Sequence, residues 1–152
     1  MEDHLNLIQQ AEKAFTTADH LCYVTLPLLK EPKLMITITQ NLDSALTNAI
    51  QALLNHDHLH KQLQEIPKDF EKQLILFENK IMPKYKISKD VLKTIKDVKN
   101  IMKQHKSSAV EFTRKEKYFV CDDKYKMKTL DAEQLKVFVF NTRPLIQLLR
   151  GL

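Results

Sequence analysis

A single glycine, Gly151, occurs in the 152 residues of this chain, and this limits the possible folds more than any other feature. Glycine supplies the positive φ angles that tight hairpins and phosphate-binding loops require. Its scarcity excludes a P-loop, a dinucleotide-binding fingerprint and a nucleophile elbow in their usual forms. It also argues against a sheet-rich fold with many tight turns. The sequence therefore predicts an all-α fold, and its length suits one domain, residues 1–152.

Apolar residues recur at steps of three and four along most of the chain and predict an antiparallel bundle of about five helices. The segment 33–60 is apolar on two adjoining faces, so we expect it to be the central helix, with neighbours on several sides. Its small residues Ala45, Ala49 and Ala52 would let another helix approach closely.

Prolines and capping residues predict where these helices begin and end. Pro27 should kink or end the first helix, because proline lacks an amide donor and clashes with the preceding turn. The segment Pro83-Lys84-Tyr85-Lys86 should end the third. Pro144 should kink the last helix. Ser88 is a predicted N-cap of the fourth helix, and Asp131 opens a capping-box pattern at the last.

The segment 117–128 does not follow the helical pattern. It is rich in aromatic and β-branched residues on both sides of Asp122 and Asp123. This composition around a short polar turn predicts a β-hairpin-like insert between the fourth and last helices.

The net charge of +5 is distributed unevenly. Residues 1–60 contain three lysines and seven acids, whereas residues 61–128 contain 18 basic residues and ten acids. On the predicted helix 86–106, the apolar residues fall on one face and lysines on the other. The lysines of that face are Lys86, Lys89, Lys93, Lys96, Lys99, Lys103 and Lys106.

This lysine face is typical of proteins that bind nucleic acid, because phosphate contacts release counterions. The following segment interleaves basic and aromatic residues, as single-strand binders do. The candidate nucleic-acid-binding residues are Lys89, Lys93, Lys96, Lys99, Lys103, Lys106, Arg114, Lys117 and Tyr118. We expect the partner to be RNA or another polyanion. A solvated surface or a surface for an acidic protein is the alternative interpretation.

Two histidines form a candidate metal site at the end of the central helix. His56 and His60 lie four residues apart, so both can reach one ion from the same helix face. Folding could supply His4 or His105 as a third ligand. The alternative is a polar helix end, where imidazoles also suit the negative end of the dipole.

Other catalytic signals are weak. The four serines stand in no recognisable nucleophile context, and no cofactor is predicted. Cys22 lies on the apolar stripe of the first helix and is expected to be inert packing, whereas Cys121 lies near lysines and is a candidate reactive thiol. Two distant cysteines, no signal-peptide pattern and no membrane-length apolar run predict a cytoplasmic protein with no membrane contact.

Parts of the sequence resemble the HEPN domain, a small helical bundle of prokaryotic toxin–antitoxin and nucleotidyltransferase-associated proteins. The resembling residues are Leu7-Ile8-Gln9-Gln10-Ala11-Glu12-Lys13-Ala14 with Ala18, Ser44-Ala45-Leu46-Thr47-Asn48-Ala49-Ile50-Gln51-Ala52-Leu53-Leu54, and Leu130-Asp131-Ala132-Glu133-Gln134. HEPN ribonucleases carry an arginine followed about four to six residues later by histidine, and this chain lacks that motif. The resemblance therefore implies a non-catalytic member, commonly a dimer that binds protein or nucleic acid. The stretch His20-Leu21-Cys22-Tyr23-Val24-Thr25-Leu26-Pro27-Leu28 also looks like short uncharacterised archaeal proteins.

These observations predict a non-enzymatic binding or scaffold module that engages RNA or another polyanion through its lysine face. One alternative is a homodimeric protein-interaction module with no nucleic-acid role. A second is a HEPN-like or metal-assisted ribonuclease that uses the histidines.

Overall fold

Five continuous helical segments and one small sheet make up the computed structural model, which describes residues 2–152 and all their side chains except those of residues 2, 3 and 109. The all-α class with a hairpin-like insert is confirmed. The helices are α1 (Glu2–His20), α2 (Leu26–Leu29), α3 (Leu34–Leu59), α4 (Phe70–Leu76), α5 (Met82–Tyr85), α6 (Lys89–Lys106) and α7 (Ala132–Arg150). A π-helical segment (Leu21–Thr25) joins α1 to α2, and another (Phe77–Ile81) joins α4 to α5.

Helix α3 lies at the centre of the bundle and contacts α1, α4, α6 and α7. Its alanines Ala45, Ala49 and Ala52 are completely buried. A helix that buries side chains on most of its circumference needs neighbours on several sides. The apolar pattern of the sequence therefore placed this helix correctly.

The first helix continues past Pro27, whereas the third ends within the predicted segment 83–86. Pro27 and Pro83 each follow a π-helical segment, and the helix continues to Leu29 in one case and Tyr85 in the other. The wider π turn inserts one residue and so relieves the clash between the proline ring and the preceding turn. The helices are terminated by Lys30 and Lys86, the residues that follow, which adopt left-handed conformations with φ of 50° and 55°.

The predicted N-caps are confirmed. The Ser88 hydroxyl accepts a hydrogen bond from the amide of Asp90 at 3.1 Å. The Asp131 carboxylate accepts one from the amide of Gln134 at 2.8 Å. Both contacts satisfy amides that the first helical turn leaves without partners. Pro144 lies inside α7 without ending it.

The insert is a three-stranded antiparallel sheet rather than a single hairpin. The predicted hairpin is present as β2 (Lys117–Asp122) and β3 (Met127–Leu130), and β1 (Ser108–Arg114) adds a strand on the other side of β2. Lys115 and Glu116 form the turn between β1 and β2 with φ of 51° and 62°. Two successive positive φ angles are typical of the type I′ turn that suits a twisted hairpin. Among residues 2–152, no helix is long and apolar enough to cross a membrane.

Candidate nucleic-acid interface

A groove runs between α6 and the segment formed by Phe77–Ile81 and α5. It encloses about 780 Å³. Its apolar lining residues are Met82, Pro83, Ile87 and Leu92, and its charged ones are Lys86, Lys89, Lys93, Lys96, Glu78 and Asp97. Four lysines against two carboxylates leave the groove with a positive charge.

The predicted lysine face is reproduced in part by this groove. Lys89, Lys93 and Lys96 are exposed and line it. The ammonium of Lys96 lies 3.9 Å from a carboxylate oxygen of Glu78, and both side chains are about half exposed. An exposed ion pair of this length contributes little stability, so Lys96 remains available to another anion. Lys103 and Lys106 are also exposed, but they lie outside the groove.

Lys99 does not belong to the exposed lysine face. Its ammonium lies 2.8 Å from a carboxylate oxygen of Asp43 and donates to the Thr47 hydroxyl at 2.6 Å. It also lies 4.0 Å from the ring centroid of Phe70. Its side chain is only 28% exposed. These contacts tie α6 to α3 and α4, so Lys99 is a structural residue here.

The three candidate residues of the sheet separate onto its two faces. Arg114 and Lys117 are paired across β1 and β2 and are both exposed. Tyr118 lies on the opposite face, is 7% exposed, and donates its hydroxyl to a Glu111 oxygen at 2.5 Å. Burial and this hydrogen bond raise the pKa of Tyr118 to about 12. Its ring is therefore part of the core rather than a surface for stacking.

Sequence reasoning missed an aromatic pair on the outer face of the sheet. Phe112 and Phe119 are directly paired across β1 and β2, with parallel rings whose centroids are 4.9 Å apart. Phe112 is 39% exposed. The alternation of apolar Val110 and Phe112 with polar Glu111 and Thr113 could have indicated this strand.

Glu111 joins the end of α6 to the sheet. Its carboxylate accepts from the Ser108 hydroxyl at 2.5 Å and from Tyr118, and it lies 2.6 Å from Nδ1 of His105. Burial raises the pKa of Glu111, but the hydrogen bonds from Ser108, Tyr118 and His105 outweigh this effect and lower it overall. His105 is thus held by Glu111 and takes no part in the histidine cluster at the end of α3.

His4, not His105, joins His56 and His60. The ring centroid of His56 lies 5.2 Å from that of His4 and 4.2 Å from that of His60. Nδ1 of His4 faces the carbonyl of Ala52 at 3.2 Å, and Nδ1 of His60 faces that of His56 at 2.8 Å. Burial, followed by the charges of His60 and His4, lowers the pKa of His56.

The structure gives the predicted metal site no further support. In the part of the chain that the structure describes, no three or more His, Cys, Asp or Glu side chains are arranged to hold a metal ion. Asp57, next to His56, is turned away from the cluster. It accepts from the hydroxyl of Tyr85 at 2.8 Å and from the ammonium of Lys84 at 3.2 Å.

The two cysteines occupy different environments. Cys22 is 1% exposed, and burial raises the pKa of its thiol to about 11. Cys121 is partly exposed on the outer face of the sheet, opposite Val110 and Met127.

Comparisons of the chain with protein-family models, curated proteins and solved structures gave no match.

Proposed function

We propose that this protein binds RNA through the groove beside α6. The observation that carries the proposal is the set of four lysines that line this groove, Lys86 from the connection after α5 and Lys89, Lys93 and Lys96 from α6. Among the described residues, only Lys96 of these four lies within ion-pair distance of a carboxylate. Lysines without such partners gain more from a phosphate than lysines that would have to leave an ion pair.

The energetics favour a polyanion over a small acidic ligand. Each phosphate that a lysine neutralises releases condensed counterions, and this entropy gain accumulates along a repeating backbone. Lysine acts as a flexible point charge and does not impose bidentate geometry. A row of lysines therefore suits phosphate contacts that are independent of base sequence, and we expect the groove to contribute affinity rather than sequence preference.

Reversing two lysines of the groove tests the proposal. K89E/K93E should weaken binding to single-stranded RNA and reduce the slope of log K against log salt by about 1.4, at roughly 0.7 per phosphate contact. The matched control is K13E/K68E, which makes the same change in net charge at two exposed lysines outside the groove. Fluorescence anisotropy across a salt series, with recovery of intact RNA, provides the measurement.

The control variant separates local from global electrostatics. If K13E/K68E weakens binding as much as K89E/K93E, the net charge and not the groove is responsible, and the proposal fails. It also fails if the unaltered protein does not bind RNA at low salt. Cleavage of the RNA would instead favour a ribonuclease.

A second candidate function is self-association through α7, because this helix leaves two apolar side chains exposed. Val137 is 54% exposed and Phe140 is 71% exposed, three residues apart on one face. Phe140 borders a groove of about 510 Å³ that also contains Pro144 and Leu148. Light scattering should then show a dimer that F140D dissociates and K89E/K93E leaves intact. A monomer at high micromolar concentration would remove this candidate.

A further inference from the structure

The outer face of the sheet combines aromatic, apolar and cationic side chains, and among the described strand residues on this face none is an acid. The strand pairing places eight residues on this face: Val110, Phe112, Arg114, Lys117, Phe119, Cys121, Met127 and Thr129. The acids of the strands lie elsewhere. Glu111 is on the inner face, bound to Ser108 and Tyr118, and Asp122 accepts hydrogen bonds from the backbone amides of the β2–β3 turn.

One ring of the aromatic pair is exposed, that of Phe112, whereas Phe119 beside it is half-buried. Phe112 is 39% exposed, and its neighbours Val110 and Met127 are 55% and 54% exposed. Exposed aromatic rings on a β-sheet are the surface on which unpaired bases stack, because every base has a π-face of similar size. The rings of Phe112 and Phe119 are already parallel, with an interplanar angle of 9°, so a base can extend the stack without reorganising it.

The cations of this face are placed where a phosphate backbone would need them. Arg114 is opposite Lys117, two residues along each strand from the Phe112–Phe119 pair and therefore the next pair on the same face. A guanidinium offers fork-shaped donors that match a phosphate. A face with two cations, two aromatic rings and no acid matches the chemistry of a single-stranded nucleic acid better than that of an acidic peptide, which supplies no bases.

We infer that the outer face of the sheet is a base-stacking platform for single-stranded nucleic acid. The inference rests on the proposed RNA binding and makes the ligand more specific. The lysine groove alone would accept any polyanion, whereas the platform requires unpaired bases. A duplex keeps its bases stacked inside the helix and cannot use the platform.

The chain contains no tryptophan, so F112W introduces a unique fluorescent reporter on the platform. A uridine oligonucleotide of about 12 nucleotides should quench the indole emission, because stacked bases quench indole fluorescence. Inorganic polyphosphate of matched charge should bind without this quenching. Equal quenching by polyphosphate, or no quenching by a saturating oligonucleotide, would overturn the inference.

A second variant tests the unmodified surface without the reporter. F112L/F119L keeps apolar side chains of similar size on the sheet but removes both π-faces. We expect its affinity for the oligonucleotide to fall at least about tenfold, while its affinity for polyphosphate changes less than about twofold. Unchanged oligonucleotide affinity, or an equal loss for both ligands, contradicts a stacking role. A thermal melt confirms that the variant is folded.

The two proposals fail in distinguishable ways. If the groove proposal is wrong, K89E/K93E binds RNA as well as the unaltered protein does, and quenching in F112W is still measurable. If the platform is wrong, the lysine variant loses affinity for oligonucleotide and polyphosphate alike, and the phenylalanine variant loses none. Quenching of F112W in the K89E/K93E background at low salt therefore measures the platform alone.

Discussion

Replacing Lys99 by methionine should destabilise the fold without weakening RNA binding. The substitution keeps an unbranched stem beside Phe70 but removes the ammonium that lies 2.8 Å from Asp43 and 2.6 Å from the Thr47 hydroxyl. The Asp43 side chain is 27% exposed. In K99M its carboxylate therefore loses the ammonium of Lys99 and is only partly hydrated in its place. The hydrogen bond from the ammonium to Thr47 is also lost, and a hydrogen bond that involves a charged group contributes about 1.5–3 kcal/mol. We expect a loss of about 2 kcal/mol and a fall in melting temperature of about 4–8 °C.

The matched control for this experiment is K93M on the same helix. Lys93 is exposed and lines the groove, so its substitution should change the free energy of unfolding by less than about 0.5 kcal/mol. The binding assay should show the reverse order, with K93M weaker for RNA and K99M close to the unaltered protein. Urea denaturation and fluorescence anisotropy measure the two quantities.

A double-mutant cycle identifies the contact responsible for the loss. The unfolding free energies of K99M, D43N and the double variant should give a coupling energy of about 1 kcal/mol, because the effects of substituting two residues in contact are not additive. If K99M melts at the temperature of the unaltered protein while losing RNA affinity, Lys99 belongs to the binding surface and the assignment above is wrong.

Three further predictions concern other contacts. Burial raises the pKa of Cys22 to about 11, so a thiol reagent at neutral pH should modify Cys121 in the folded protein and Cys22 only after unfolding. Peptide mass spectrometry measures the labelling of each cysteine. Rapid labelling of Cys22 in the folded protein would contradict this prediction. Burial raises the pKa of Glu111, but its hydrogen bonds outweigh this and lower it in the folded state. Its contribution is therefore complete above the ordinary value of 4.5 and is lost as pH falls through the lower folded value. The difference in unfolding free energy between the unaltered protein and E111Q should accordingly shrink below pH 4.5, and a gap independent of pH would refute it. Finally, K115N/E116G should raise the free energy of unfolding by about 1 kcal/mol, because asparagine and glycine tolerate positive φ. The control is K115A/E116A. If the two variants melt at the same temperature, the turn between β1 and β2 is not strained.

The helical part of the fold could be predicted because its determinants are local. The spacing of Ala45, Ala49 and Ala52 predicts one buried helix face without knowledge of the helix that packs against it, and all three residues are completely buried. Ser88 and Asp131 act on amides within a few residues of themselves. These signals can be recognised in the sequence because they do not depend on residues far away in the chain.

The third strand was missed because its turn uses no glycine. Lys115 and Glu116 both adopt positive φ, a conformation that costs about 1–2 kcal/mol for an ordinary residue and that sequence reasoning therefore assigns to glycine or asparagine. Without β1, nothing brings Phe112 opposite Phe119 or Arg114 opposite Lys117. The aromatic pair exists only through strand register, which depends on the sheet as a whole.

A lysine that forms an ion pair with a neighbouring Asp or Glu is less available to a polyanion. A helical wheel of α6 contains no information about acids on other helices. On α6 alone, Lys93 and Lys99 belong to the same lysine face. Asp43 on α3 removes Lys99 from that face by an ion pair that also holds two helices together. On the sheet the effect is the opposite: strand alternation places Glu111 on the inner face, where it is bound to Ser108 and Tyr118, and not beside Arg114 on the outer face. Placement of carboxylates, more than the number of lysines, thus distinguishes the two surfaces that we propose as binding sites for an anionic strand.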